Sequence, residues 1–106
     1  MSISKVESGP TAFAKTVRVT SDRLRVLLRD GREIAVPLSW YPRLSHGQPK
    51  ERQNWELIGR GIGIHWPDLD EDISVDGLLE GRRSRERADS IKRWLTSRTP
   101  TRSRQR

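Results

Sequence analysis

DRLRVLLRDGREIAVPLSW, Asp22–Trp40, sets two short runs of alternating apolar residues around an Asp-Gly pair. Leu24, Val26 and Leu28 share one face of the first run; Ile34, Val36 and Leu38 share one face of the second. Period-two alternation broken by Asp30-Gly31 predicts a β-hairpin. The pattern also selects the loop. A two-residue turn would set Leu28 opposite Glu33 and send the two apolar sets to opposite faces. A three-residue loop, Arg29–Gly31, pairs Val26 with Ile34 and Leu24 with Val36, and puts Gly31 at the left-handed position of a G1-bulge turn. The other face then carries Arg23, Arg25 and Glu33, the solvated side of a half-buried antiparallel sheet.

Upstream, residues 1–12 read as a flexible polar lead, and Phe13–Thr20 as a first strand with Val17 and Val19 facing one way. Downstream, Pro42 and Pro49 interrupt any long helix, leaving a helical turn at Trp40–Leu44 and a short helix at Pro49–Asn54 with Pro49 in its first turn. Glu56–Gly59 and Ile62–Trp66 predict two further strands joined through Arg60-Gly61, with Ile62, Ile64 and Trp66 on one face and Pro67 ending the second. Ser74 can cap a short helix, Asp76 suits its first turn, and Gly81 can terminate it. The expected architecture is α+β: a small antiparallel sheet of about five strands, in the order three strands, helix, two strands, helix, with a basic C-terminal extension. A domain of this size buries only about 60–65% of its unfolded surface, so the four tryptophans are expected to supply much of the core.

The net charge of +7 is unevenly placed. Residues 1–81 carry 11 Lys/Arg against 12 Asp/Glu, while residues 82–106 carry 10 against 2. The reading is therefore a near-neutral domain at residues 13–81 and an arginine-rich tail at residues 82–106, and any affinity for polyanions belongs to the tail. Ala88, Ile91, Trp94 and Leu95 fall at helical spacing, so Ser84–Ser97 can form a basic amphipathic helix, with Thr99–Arg106 expected to be disordered. Arg82, Arg83, Arg85, Arg87, Lys92, Arg93 and Trp94 are the candidate polyanion contacts; about five phosphate contacts would give a slope of log K against log salt near −4.5. A solvated arginine tail has no need of Ile91, Trp94 and Leu95. They predict burial against the body, a membrane surface or a partner groove. There is no cysteine, which excludes disulfides, thiolate nucleophiles and cysteine zinc sites. No segment approaches the ~18 consecutive apolar residues of a membrane span, and the N-terminus lacks an apolar leader, so the expected compartment is the cytoplasm.

Catalytic patterns fail on inspection. Asp68, Asp70 and Asp72 have the alternate spacing of a calcium loop, but the sixth and twelfth positions, which need Gly and an acid, hold Ile73 and Leu79. His65 and His46 have no third ligand pattern, and Gly59–Gly63 lacks the full dinucleotide fingerprint. No catalytic, cofactor-binding or metal residue is assigned, and the chain reads as a non-enzyme without cofactor. Of Trp40, Tyr41, Trp55 and Trp66, three are expected in the core and Trp40 outside. Trp40, Tyr41 and Arg43 then form the candidate protein-partner contact, since exposed aromatics beside arginine are typical of interface hot spots.

Trp40–Leu44 within SWYPRL, Asn54-Trp55 within ERQNWEL, and His65–Ile73 within GIGIHWPDLDEDISVDGLLEG occur in an order that resembles the bacterial family catalogued as domain of unknown function 2442, over about Val17–Gly81. The resemblance implies a compact α+β unit. It also implies a small partner protein encoded by a neighbouring gene, of the family domain of unknown function 4160, in an arrangement like toxin–antitoxin pairs. Some relatives carry a helix-turn-helix domain after the shared unit; the extension here is too short and too arginine-rich for one. The function expected is protein binding, as the antitoxin-like member of a two-gene module, with the tail wrapping an acidic partner. The alternative is nucleic-acid binding or autoregulation through the tail.

Overall fold

The computed structural model describes residues 12–103, with side chains as far as Arg98. The lead expected at residues 1–12 lies outside that range except for Ala12, which is buried. Three strands come first: β1 (Ala14–Val19), β2 (Arg23–Leu28) and β3 (Glu33–Pro37), joined as an antiparallel meander in that order. Val26 pairs with Ile34 and Leu24 with Val36. The Leu28 N–H donates to the Arg32 carbonyl at 2.8 Å across a three-residue loop in which Gly31 has φ +96°. The hairpin register is the one the alternation requires. Ala14 and Val17 both face the core although three residues apart, because the β1–β2 register slips between Ala14 and Thr16; a bulge adds one residue to the period.

Pro37 ends β3, and the chain turns away through a 3-10 turn at Leu38–Trp40, α1 (Pro42–Ser45) and α2 (Pro49–Gln53). Each helix starts on proline, and in α2 Gln48 and Glu51 form a capping box, which satisfies two otherwise orphaned N–H groups. The chain then builds a second antiparallel sheet from β4 (Glu56–Ile58), β5 (Gly63–Trp66) and β6 (Glu71–Ser74). The expected single sheet of about five strands is thus corrected to two sheets of three strands each. The two helices between β3 and β4 separate them. The sixth strand escapes the sequence pattern because Glu-Asp-Ile-Ser has one apolar residue; it forms because Ile73 pairs opposite Ile64 at the core.

A 3-10 turn at Gly59–Gly61 joins β4 to β5, with Arg60 at φ +66° and Gly61 at φ +111°. A Cβ on Gly61 would lie 2.4 Å from the Ala14 carbonyl oxygen, so this glycine lets the β4–β5 turn press against β1. The same turn removes Ile62 from the strand: it sits in a right-handed helical conformation and is 38% exposed, unlike Ile64 and Trp66, which are fully buried. The expected common face therefore reduces to Ile64 and Trp66.

Valines, leucines and isoleucines of both sheets make the core, together with Tyr41, Leu44, Leu69, Val75 and Leu78. Burying each such aliphatic side chain contributes about 1.5–3 kcal/mol. Trp66 alone among the tryptophans is fully buried, its indole N–H donating to the Arg52 carbonyl at 2.9 Å. Trp40, Trp55 and Trp94 are half-buried at the rim of the core; the aliphatic supply of six strands leaves them there, against the expectation that tryptophans carry the interior.

The short helix α3 (Val75–Leu79) starts on Ser74, whose hydroxyl accepts the Gly77 N–H at 2.8 Å, and ends at Gly81 with φ +75°. A 16-residue helix, α4 (Ala88–Ser103), closes the described chain. It begins four residues later than the expected Ser84 and continues past Thr99, where the composition predicts disorder; residues 104–106 lie outside the described range. No helix among the described residues is long and apolar enough to cross a membrane.

Candidate functional site

The Trp40–Leu44 segment is held by the chain beyond Gly81. The Tyr41 hydroxyl donates to the Arg82 carbonyl at 2.7 Å, and the Ser84 N–H donates to the Trp40 carbonyl at 3.0 Å. Burial is the main reason that the Tyr41 phenol is pushed above its ordinary pKa. The Arg83 guanidinium lies 4.7 Å from the centre of the Trp40 ring, a cation–π arrangement. Arg43 grips Glu86 with two hydrogen bonds, Nε to Oε1 at 2.8 Å and Nη2 to Oε2 at 2.6 Å, and its Nη1 reaches the Leu69 and Asp70 carbonyls. These bonds hold the Glu86 carboxyl below its usual range. The fork-on-carboxylate geometry makes this one of the stronger kinds of ion pair. Trp40, Tyr41 and Arg43 thus come together as their spacing in the sequence suggests, and the chain's own C-terminal segment covers them.

Helix α4 continues the attachment. Ile91 is buried, and Trp94, Leu95 and Arg98 are partly buried along the same helical face. The Trp94 ring is flanked by two guanidiniums, Arg43 at 5.0 Å and Arg98 at 4.7 Å from its centre. Arg98 reaches both carboxylate oxygens of Glu51, at 2.8 and 3.0 Å. Burial alone would push the Glu51 carboxyl up, but the Gln48 N–H and Arg98 together hold it below its usual value. Of the seven candidate polyanion residues, Trp94 faces inward. Arg82 pairs with Glu80, Arg87 and Arg93 both approach Asp89, and Arg85 and Lys92 are exposed.

Between β6 and the 82–85 segment lies an open cleft of about 380 Å³, lined by Tyr41, Glu71, Gly77, Arg82, Arg83 and Arg85 among others. Burial pushes the Glu71 carboxyl up to about 7, partly countered by the charge of Arg43. Sequence reasoning missed Glu71, since β6 itself was not legible; its only signal was its position two residues before Ile73. The neighbouring aspartates go to separate partners: Asp68 accepts from the Asn54 amide, Asp70 (φ +52°) faces Arg43, and Asp72 holds His65. That last hydrogen bond raises the His65 pKa. A second cleft, of about 410 Å³, is mainly apolar and lies over Ile58, Ile62, Gly63 and Ile73 beside the short edge strand β4.

A comparison with curated proteins found no match. Among solved structures, a crystal structure of a protein of unknown function from Rhodospirillum rubrum is similar at 30% identity and a TM-score of 0.62, covering 71% of this chain and 93% of that one. The solution structure of an uncharacterized protein from Chromobacterium violaceum is similar at 27% identity and a TM-score of 0.60, covering 68% of each chain. Residues 14–84 match the family described as protein of unknown function (DUF2442), so both sheets and α1–α3 fall within the shared unit and α4 lies beyond it. On that match, the chain belongs to the DUF2442 family.

Proposed function

We propose that this chain is a non-catalytic protein-interaction domain, the antitoxin-like member of a two-gene module. The observation that supports this reading is the apolar cleft beside β4, where Ile58 and Ile62 are 41% and 38% exposed. Strand β4 has three residues and lies at the edge of its sheet. An edge unpaired among the described residues and flanked by large apolar side chains suits addition of a partner's extended backbone, the edge supplying hydrogen bonds and the isoleucines a pocket. Because residues 82–98 cover Trp40, Tyr41 and Arg43, partner affinity is assigned to the β4 edge instead. The test is capture by the full chain from nuclease-treated native lysate, against Ile58→Asp and Ile62→Asp. A discrete protein retained by the wild type and lost by both variants supports the reading; equal retention by all three contradicts it.

A second reading, nucleic-acid binding, is favoured by the exposed Arg85, Arg87, Lys92 and Arg93 of the C-terminal segment. Four phosphate contacts correspond to a slope of log K against log salt of roughly −3.6. A slope near zero would contradict it.

A further inference from the structure

We infer that the docked helix α4, held against the body, is a preformed surface for the phosphate backbone of a nucleic acid, rather than one stretch of a flexible basic tail. This rests on the second reading above and specifies its surface.

Side-chain direction divides the helix in two. Ile91, Trp94, Leu95 and Arg98 lie along one face, turned to the body. Lys92, Arg93, Thr96 and Ser97 are exposed on the rest of the helix, with Arg85 and Arg87 exposed just before it. Among the described residues, that outer surface sets four cations against a single carboxylate, Asp89. The inward face is secured by charge at two places, Arg43 on Glu86 just before the helix and Glu51 on Arg98 within it, with Trp94 between the two guanidiniums. Arg43 and Arg98 are thereby committed to internal contacts with Trp94, and Lys92 and Arg93 are left outward on the helix, with Arg85 and Arg87 exposed just before it.

The same division decides between partners. An amphipathic helix that enters a bilayer needs an outward apolar face, and a protein hot spot needs an aromatic or aliphatic anchor. Ile91, Trp94 and Leu95, the large apolar residues among the described side chains of α4, are already turned to the body. What remains outward is guanidinium and ammonium, the groups that recognise phosphate oxygens. Holding them on a docked helix removes part of the ordering cost of binding.

Two acids distinguish a docked surface from plain electrostatics. Glu51→Gln and Glu33→Gln each remove one negative charge, so charge alone predicts equal, slightly tighter binding for both. Glu33 pairs with Arg25 on the β2–β3 hairpin, whereas Glu51 anchors α4 through Arg98. Glutamine at 51 keeps an acceptor for the Gln48 N–H, so α2 retains its cap. Binding of a short labelled DNA duplex to the full chain at low salt is measured by fluorescence anisotropy. The expected result is unchanged or slightly tighter binding for Glu33→Gln and roughly fivefold weaker binding for Glu51→Gln. Arg93→Gln should flatten the salt slope by roughly 0.9 while α4 stays docked. Equal affinity of the two glutamate variants, with wild-type binding intact, overturns the docked surface but leaves the nucleic-acid reading standing. No binding by the wild type removes both. Tighter binding to polyglutamate or to anionic vesicles than to the duplex also overturns the inference, in favour of an acidic protein or a membrane. If Glu51→Gln proves poorly folded, Arg98→Gln breaks the same anchor from the helix side; Arg25→Gln removes an equal charge from the hairpin, and a clearly greater loss for Arg98→Gln than for Arg25→Gln is expected, equal losses overturning the docked surface.

Discussion

The two-sheet body and the C-terminal segment are held together by different forces. Inside the body, Leu24, Val26, Leu44, Ile64, Trp66 and Leu69 exclude water almost completely, and burial of this kind is insensitive to moderate salt. The C-terminal segment instead attaches through the Arg43–Glu86 and Arg98–Glu51 pairs, cation–π contacts on Trp94 and Trp40, the Tyr41–Arg82 and Ser84–Trp40 hydrogen bonds and, among its described residues, a single buried aliphatic side chain, Ile91. Salt screens such pairs more than it weakens apolar burial, and screens the mostly buried Arg43–Glu86 pair less than an exposed one. The difference implies one chain with two stabilities, a salt-resistant body and a salt-sensitive strap.

Cutting the core should have the largest effect, because it removes the support of both regions at once. Leu24→Ala removes a fully buried side chain paired opposite Val36 and should cost about 2–5 kcal/mol of global stability, read as loss of both sheets and α4 in one thermal transition. Gly61→Ala should cost about 2 kcal/mol or more, since φ +111° and the Ala14 backbone both oppose a Cβ; unfolding in urea gives the value. Arg43→Ala should act on the other region. It leaves Glu86 without its fork, Trp94 without one cation and the Leu69 and Asp70 carbonyls without a donor, at a cost of about 1–2 kcal/mol, largest at α4 amides in hydrogen exchange while β2 stays protected.

Glu71 offers a pH test of the junction between the regions. Its carboxyl titrates near 7 when folded, against about 4.5 for the ordinary group. Below the ordinary value both states are protonated and the group costs nothing. Between about 4.5 and 7 the unfolded chain ionises first, so stability falls as pH rises. Glu71→Gln should therefore stabilise the protein by about 1–3 kcal/mol above about pH 7 and leave it nearly unchanged at about pH 4, checked by urea midpoints at the two pH values. Ser74→Ala, which removes the α3 cap, should have the smallest effect, about 1 kcal/mol.

How much of this was readable in the amino-acid order follows the same division. Strands β1 to β3 alternate because one face is wet and one dry, and that pattern is local; even the loop length was recoverable from it. Caps and stops at Pro49, Ser74 and Gly81 were legible for the same reason, whereas the single turn expected at Trp40–Leu44 is split into a 3-10 turn at Leu38–Trp40 and α1, which starts on Pro42. Strand β6 was not, because its partner β5 rather than its own composition makes it a strand. The candidate residues Trp40, Tyr41 and Arg43 do lie together, yet the group's environment depends on Glu86, 43 residues away from Arg43. Nothing local announces such a pairing. Ile91, Trp94 and Leu95 signal burial against some surface, but helical spacing does not say which one, and that surface is the body.

Hydrogen exchange on the full chain, at low salt and in molar sodium chloride, separates the two stabilities in one experiment. Amides from Ile91 to Arg98 should be protected at low salt, with protection falling severalfold at high salt while β2 and β5 are unchanged. Unprotected α4 amides at low salt, or protection that salt does not touch, would contradict a salt-sensitive strap on a salt-resistant body.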